Sequence, residues 1–388
     1  MNSTGRRRRS RSFLIILSVV VIVAVVAILL TIRERPMDQE RITIGAILPL
    51  SGNLGFMGKM EGDGMKLAVE DINAEGGVNG VPLELRFDDS QGKPDLGVTA
   101  AQRMLTVDRI NILIASFSGV ALGIKPVVER EGGILIGACM HPDFFKGTPN
   151  VFRFYIGVED ESKGFVDYLT SLKGTIPDPR VGLLYVEAPN VVEQIEKYVE
   201  PGLAEVGMSF AVKESYRLSD KEFRDKILKI RSADVSHLLI IGYGFLYPNI
   251  FQELKDQKIL DKVQIVGGWG FLYPNVSSTE LEGVVVVGPK YVFEGSETVQ
   301  SFDKRFEIEF GYKANFDAAM TYAAVELVAT GLAASSDQTS SSLSRALKDL
   351  PQTRTLIGDV RIRDDGSISF PIAIGIYKHG VLVSLSSY

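Results

Sequence analysis

The chain has 388 residues, a single cysteine and a formal net charge of −6. The charge is split: residues 1–40 hold seven Arg and three acids, +4, which leaves −10 for residues 41–388. An acidic body argues against nucleic acid as a partner, because phosphate contact needs clustered Lys and Arg. A lone Cys139 excludes an intrachain disulfide, and the length exceeds what one core usually holds, so two domains are expected.

Residues 1–12 form a basic N-terminus with Arg6, Arg7, Arg8, Arg9 and Arg11. Residues 13–32 follow without a charge, and only Ser18 and Thr31 are polar. At about 1.5 Å rise per residue, such a run spans about 30 Å, the thickness of a bilayer core. No small-residue cleavage pattern and no lipidation cysteine stand at its end, so it reads as an uncleaved transmembrane signal anchor, with a cleaved signal peptide as the alternative. Five arginines before the run, against two just after it, place the N-terminus in the cytoplasm and the body outside, periplasmic or extracellular. Residues 33–40 are a short polar tether.

Beyond residue 40 the patterns of strand and helix alternate. Residues 41–48 are a β-rich run ending in Pro49-Leu50-Ser51-Gly52. Met65, Ala68, Val69 and Ile72 then lie on one helix face. Strands are predicted at 83–87, 110–115 and 133–138, and helices at 95–106 and along Val120, Ile124, Val127 and Val128. The alternation restarts after 151–157, with strands at 181–186, 209–214, 237–242, 263–267 and 283–287. Helices are predicted near 191–206, 221–230, 249–257, 298–310 and 318–332. Residues 335–342 read as a surface loop, and 357–384 as extended segments with a turn at 364–366. Repeated β–α–β units predict parallel sheets covered on both faces, here an α/β protein of two doubly wound, Rossmann-like lobes. Ligands bind such sheets at the carboxyl ends of strands, which singles out the loops at 49–58, 115–121, 138–146, 186–192, 242–248 and 268–275.

Little in the sequence supports catalysis. His141, His237 and His379 are scattered, and none has metal-ligand spacing with another ligand type. No phosphate loop is present, and Gly242-Tyr243-Gly244 lacks the third glycine of a dinucleotide motif. No enzyme activity, cofactor or metal is expected. Binding has more support. Ser116, Ser118 and Gly119 lie at a strand-to-helix junction, where free backbone N–H groups and hydroxyls suit a carboxylate; the alternative is that Ser118 caps the helix. An octapeptide is also repeated: residues 242–249 read GYGFLYPN and residues 268–275 read GWGFLYPN. Each copy follows a predicted strand, so Tyr243 and Trp269 should sit side by side facing a ligand. Phe245, Phe271, Leu246 and Leu272 should pack inward, and the Tyr-Pro pairs should start helices.

The series Ile44-Gly45, Pro49-Leu50-Ser51-Gly52, Gly58, Leu67-Ala68-Val69, Ile72-Asn73 and Gly76-Gly77-Val78-Asn79-Gly80 resembles the opening signature of the type I periplasmic binding proteins of the leucine/isoleucine/valine-binding class. Asp88-Asp89, residues 133–136 and residues 321–327 extend the resemblance, which covers 41 to about 380. It implies two lobes joined by three hinge crossings near 154–158, 288–291 and 357–361. Lobe 1 would comprise residues 41–155 plus 290–358, and lobe 2 residues 156–289 plus 359–388. It also implies a small-molecule ligand trapped between the lobes and delivered to the permease subunits of an ABC importer. The ligand positions of the family fall on Ser51 and Met57 in the first loop, Ser116, Ser118 and Gly119 in the Ser-rich loop, Cys139 and His141 in the next, and Asn190. A tyrosine position falls on Tyr243 or Tyr247. The acid that pairs with the ammonium group of an amino acid falls on Trp269. That departure, with the missing Thr near Cys139, points to a ligand without an amine, because a buried ammonium without a carboxylate is costly. The candidates are a branched-chain amino-acid-like solute, an amide, or an aromatic or aliphatic carboxylate. A sensory receptor signalling to a separate membrane partner is the alternative function. Only about twelve residues precede the membrane run, which favours transport.

Overall fold

The computed structural model describes residues 41–388 apart from 177–178, 273–275, 277–278, 338, 370 and 386–388. The anchor expected at 13–32 lies outside the described residues, among which no helix is long and apolar enough to cross a membrane.

The first lobe grows from short β-branched runs too apolar to face water. They form β1 (Ile42–Leu48), β2 (Leu83–Asp89), β3 (Ile112–Ser116), β4 (Ile134–Ala138) and β5 (Val151–Arg153), in sheet order β2-β1-β3-β4-β5. The pairs β1/β3, β3/β4 and β4/β5 are parallel. Parallel neighbours need crossovers, here α1 (Gly55–Ala74), α2 (Pro94–Thr106) and α3 (Ser118–Glu131). Met104, Leu113, Ala121, Ile124 and Phe144 fill the core between α2, α3 and the sheet.

The chain leaves this sheet after Arg153 and enters α4 (Val158–Ser171). Arg153, fully buried, pairs with Glu159 at the start of that helix. The second lobe continues with β6 (Val181–Val186), α5 (Pro189–Gln194), a π turn, α6 (Glu200–Glu205), β7 (Phe210–Tyr216), α7 (Arg224–Ser232), β8 (His237–Ile241), α8 (Tyr247–Asp256), β9 (Gln264–Gly267) and β10 (Val285–Pro289). The chain then returns through α9 (Tyr291–Glu294) and α10 (Glu297–Phe310) to α11 (Phe316–Ala334), which packs along α1, and to α12 (Ser340–Asp349).

The last segment departs from the sequence expectation. β11 (Thr353–Thr355), β12 (Gly358–Ile362) and β13 (Ile368–Ser369) form a separate three-stranded sheet. Leu356 N–H donates to Glu326 Oε2 of α11 at 2.7 Å, and Arg153 N–H donates to Gly366 O at 3.0 Å. Residues 359–369, expected in lobe 2, therefore stay with the first lobe. The third passage comes just before β14 (Ile372–Lys378), which pairs with β10, and β15 (Val381–Ser384) completes the order β15-β14-β10-β9-β8-β6-β7. β14 and β15 are antiparallel additions to an otherwise parallel sheet.

The α1–α11 contact closes the first lobe from residues distant in sequence. Gly64 sits against the backbone of Ala318, where an added Cβ would lie 2.2 Å from the carbonyl oxygen. Thr321 Oγ1 donates to Glu61 O at 2.8 Å beside it. We expect Gly64→Ala to cost about 1–3 kcal/mol, the scale of overpacking a tight interior, read as a lower denaturation midpoint. An unchanged midpoint would mean that the two helices separate freely at this point.

Candidate functional site

A cavity of about 340 Å³ opens between the two sheets, at the loops that follow β3, β4, β6, β8 and β9. This is where parallel sheets leave backbone N–H groups and side chains from several strands converging. From the first lobe comes the turn between β3 and α3. Its Phe117 adopts φ 74°, ψ 119°, a positive φ that disfavours a bulky side chain. Strain of this kind persists where the surroundings hold it, and it collects at ligand sites. No side chain caps α3; Ser118 Oγ instead accepts from Met140 N–H at 3.3 Å. The helix-capping alternative for Ser118 is thereby set aside, and Ser118 and Gly119 line the cavity at the start of α3.

The second lobe contributes the repeated loops. The Tyr243 ring meets Phe117 across the cleft, with centroids 6.4 Å apart and planes 28° apart, and packs edge-on against Trp269 at 4.9 Å. The two copies touch: a Cβ on Gly270 would lie 2.1 Å from Gly242 O. Tyr247, the tyrosine alternative to Tyr243, is not in the cavity. Its hydroxyl donates to Gly242 O at 2.9 Å, and its ring packs on Phe271 at 4.3 Å. Phe245 is partly exposed, contrary to expectation, whereas Phe271, Leu246 and Leu272 are buried.

Of the residues expected at the ligand, Met57, Ser116, Ser118, Gly119, His141, Asn190, Tyr243 and Trp269 line this one cavity. Ser51, Cys139 and Tyr247 do not. Ser51 Oγ donates to Asp89 Oδ2 at 2.5 Å on the exposed rim. Cys139 is buried in the first-lobe core, and burial pushes its thiol up to about 11. Trp269 lines the cavity but is only 4% exposed, so its ring also belongs to the packing of the lobe.

Sequence reasoning missed Glu61, Phe117 and Tyr155 in the wall. Glu61 had a signal: it lies four residues before Met65 on the apolar face of α1, where an acid must be buried. Its Oε2 accepts from Ser116 Oγ at 2.6 Å, so a hydroxyl expected to serve the ligand is tied to an acid in the wall. Burial, and then the neighbouring Asp317, hold the Glu61 carboxyl well above the usual range, against the Ser116 hydrogen bond. Tyr155 O–H donates to Asp317 Oδ1 at 2.8 Å. At the mouth, His141 Nε2 lies 3.3 Å from Glu193 Oε2, with Asp143 alongside. Asp143 N–H donates to His141 Nδ1 at 3.1 Å. Nε2 therefore carries the ring proton toward Glu193, which suits an inter-lobe hydrogen bond rather than a metal.

A second buried acid supports the aromatic wall from behind. Glu161 Oε1 accepts from Trp269 N–H and Oε2 from Gln194 Nε2, both at 2.8 Å. Burial pushes its pKa up to about 7, against these two hydrogen bonds. From about pH 4.5 to about pH 7 the unfolded chain releases this proton and the folded protein keeps it, so stability falls as pH rises through that window and is level above it. We expect Glu161→Gln to be more stable than the parent at pH 8 by on the order of 1–3 kcal/mol, and level with it near pH 4. A flip of the Gln194 amide, whose Oε1 has no partner among the described residues, would accept from the new amide. Thermal unfolding of both proteins across this range checks it; a parallel pair of curves contradicts it.

Comparison with known proteins matches this architecture. The periplasmic binding protein family profile matches residues 41–380. The Leu/Ile/Val-binding protein BraC3 of Rhizobium johnstonii is 26% identical over 88% of this chain and 93% of its own length. A solute binding protein of an ABC transporter from Rhodopseudomonas palustris, solved in complex with 3,4-dihydroxybenzoic acid, superposes with a TM-score of 0.80 at 17% identity, over 90% of this chain and 97% of that one. The branched-chain amino acid transporter substrate binding protein LivJ from Streptococcus pneumoniae, in complex with isoleucine, gives 0.77 at 19% identity, over 88% and 98%. Two sheets, three passages between them and a cavity at their facing carboxyl edges agree with the profile match: the chain belongs to the type I periplasmic binding proteins, in the leucine/isoleucine/valine-binding class.

Proposed function

We propose that this solute-binding protein captures a small aromatic carboxylate between its lobes outside the cytoplasm and delivers it to the permease subunits of an ABC importer. The observation that carries the reading is the set of rings contributed by both lobes, Phe117 facing Tyr243 with Trp269 edge-on. A flat ring gains from such surfaces through burial and aromatic contact. The uncapped start of α3, with Ser118 and Gly119, offers N–H groups to the carboxylate. The relative from Rhodopseudomonas palustris is described with a dihydroxybenzoic acid, which is of this chemical class. An α-amino acid is the second reading, favoured by Glu61 in the wall as a partner for an ammonium group and by the isoleucine-bound relative.

Calorimetry on the full-length protein in detergent separates the two. We expect benzoate to bind more tightly than leucine; micromolar leucine binding with no benzoate binding would overturn the first reading. Phe117→Gly removes the ring and relieves the positive φ, so we expect benzoate affinity to fall at least about tenfold while the melting temperature holds or rises. Trp269→Ala is a poorer test, because emptying a buried ring site costs about 3–5 kcal/mol of stability.

We also propose that residues 13–32 hold the protein at the membrane, since their length and lack of charge suit a bilayer core. We expect the native protein to stay in the membrane fraction after an alkaline carbonate wash. A mature N-terminus between residues 30 and 40 would contradict this.

A further inference from the structure

Glu61 is 3% exposed and lies at the cavity wall, yet among the described residues no Lys, Arg or His pairs with it. The groups around it are acids or phenols. Asp317 faces it from α11, Tyr155 binds Asp317, and Tyr291 lies near the same carboxylate. His141 and Glu187 line the same cavity. On its own helix Lys59 and Lys66 are both committed to Asp63, at 2.7 Å each. A carboxylate in such a place is costly in ionised form.

The hydrogen bond to Ser116 depends on that proton. Ionised Glu61 only accepts, so the Ser116 O–H must point at it and Ser116 can offer the cavity nothing but a lone pair. Protonated Glu61 donates, Ser116 Oγ accepts, and the Ser116 proton is released toward the cavity. In the first state the wall repels an anion; in the second it is neutral and presents a donor.

We propose that Glu61 is the specificity-determining proton carrier of this cavity: an acid binds the state in which Glu61 holds a proton and donates to Ser116, which in turn donates to the ligand carboxylate. This rests on the acid-binding reading above. When the protein starts with Glu61 ionised, binding takes one proton from solvent onto Glu61 and no other covalent bond changes. A ligand bearing an ammonium group would have the opposite linkage, favouring ionised Glu61 and releasing that proton.

The test is calorimetry of the full-length protein with benzoate from pH 5 to pH 10, repeated in buffers of different ionisation enthalpy. We expect benzoate affinity to be level at low pH and then to fall about tenfold per pH unit, with uptake approaching one proton. In Glu61→Gln the amide donates to Ser116 at every pH, so binding should persist and the fall should vanish. His141 and Glu187 are unchanged in that variant, and a pH dependence arising from them would survive the substitution. The buffer series on the parent protein gives the proton count independently should the variant fold poorly. Benzoate binding by both proteins with the same pH profile, or by the parent with no proton uptake up to pH 10, overturns the proposal while leaving the acid-binding reading intact. Absence of benzoate binding at every pH overturns that reading first. Leucine binding with release of about one proton would assign Glu61 to an amine instead.

Discussion

Parallel strand pairing is the constraint on which the rest of this molecule depends. Neighbouring parallel strands cannot be joined by a tight turn, so each must be followed by a crossover, here mostly helical, and every strand then ends on the same edge of its sheet. In the first lobe that edge gathers Ser116, Ala138 and the loops behind them; in the second it gathers Asn190, Tyr243 and Trp269. Residues from both edges line one cavity where the two sheets meet. The antiparallel β14 and β15 sit at the far edge of the second sheet, away from this convergence.

The walls of the cavity are held by acids that have given up hydration. Glu161 fastens the Trp269 loop through its backbone N–H and is itself fixed by Gln194. Glu61 ties Ser116 to α1, and the main chain at the same residue receives Thr321 of α11. Neither acid has a cationic partner among the described residues, so burial dominates both and raises their pKa values. Each wall thus contains a carboxyl group whose charge state matters to its neighbours. Aromatic rings from both lobes, Phe117, Tyr243 and Trp269, line the same cavity, and the Phe117 backbone takes a positive φ there. A site that combines apolar faces with a few oriented polar groups is the usual form of small-molecule recognition.

The repeated octapeptide shows how far a local pattern carries. Its two copies place Tyr243 and Trp269 in the same wall because each follows a parallel strand at the same edge, and that followed from strand order and spacing alone. The behaviour of the later positions did not. Tyr247 turns inward to the Gly242 carbonyl, and Phe245 remains partly exposed where Phe271 is buried. Phe245 and Phe271 diverge because the first copy continues into α8, whereas Phe271 packs against Tyr247 and Phe251 and its carbonyl accepts from the Tyr377 hydroxyl at 2.8 Å.

The sequence by itself determined the alternation of strands and helices, the edge on which the ligand loops collect, and most of the loops that line the cavity, because periodicity and turn residues are local properties. Only the tertiary structure decided which polar groups are spent inside the protein. Ser116 could be assigned to a loop from sequence, but its proton is directed by Glu61, 55 residues away on another element. Cys139 could be placed after β4, but the fill of the first-lobe core turned it away from the cavity. The passage of residues 359–369 was likewise settled by distant partners, Glu326 and Arg153, whose hydrogen bonds hold that hairpin to the first lobe. A hydrogen bond has one donor and one direction, and that choice depends on groups brought together by the fold rather than on the residue that carries the hydroxyl.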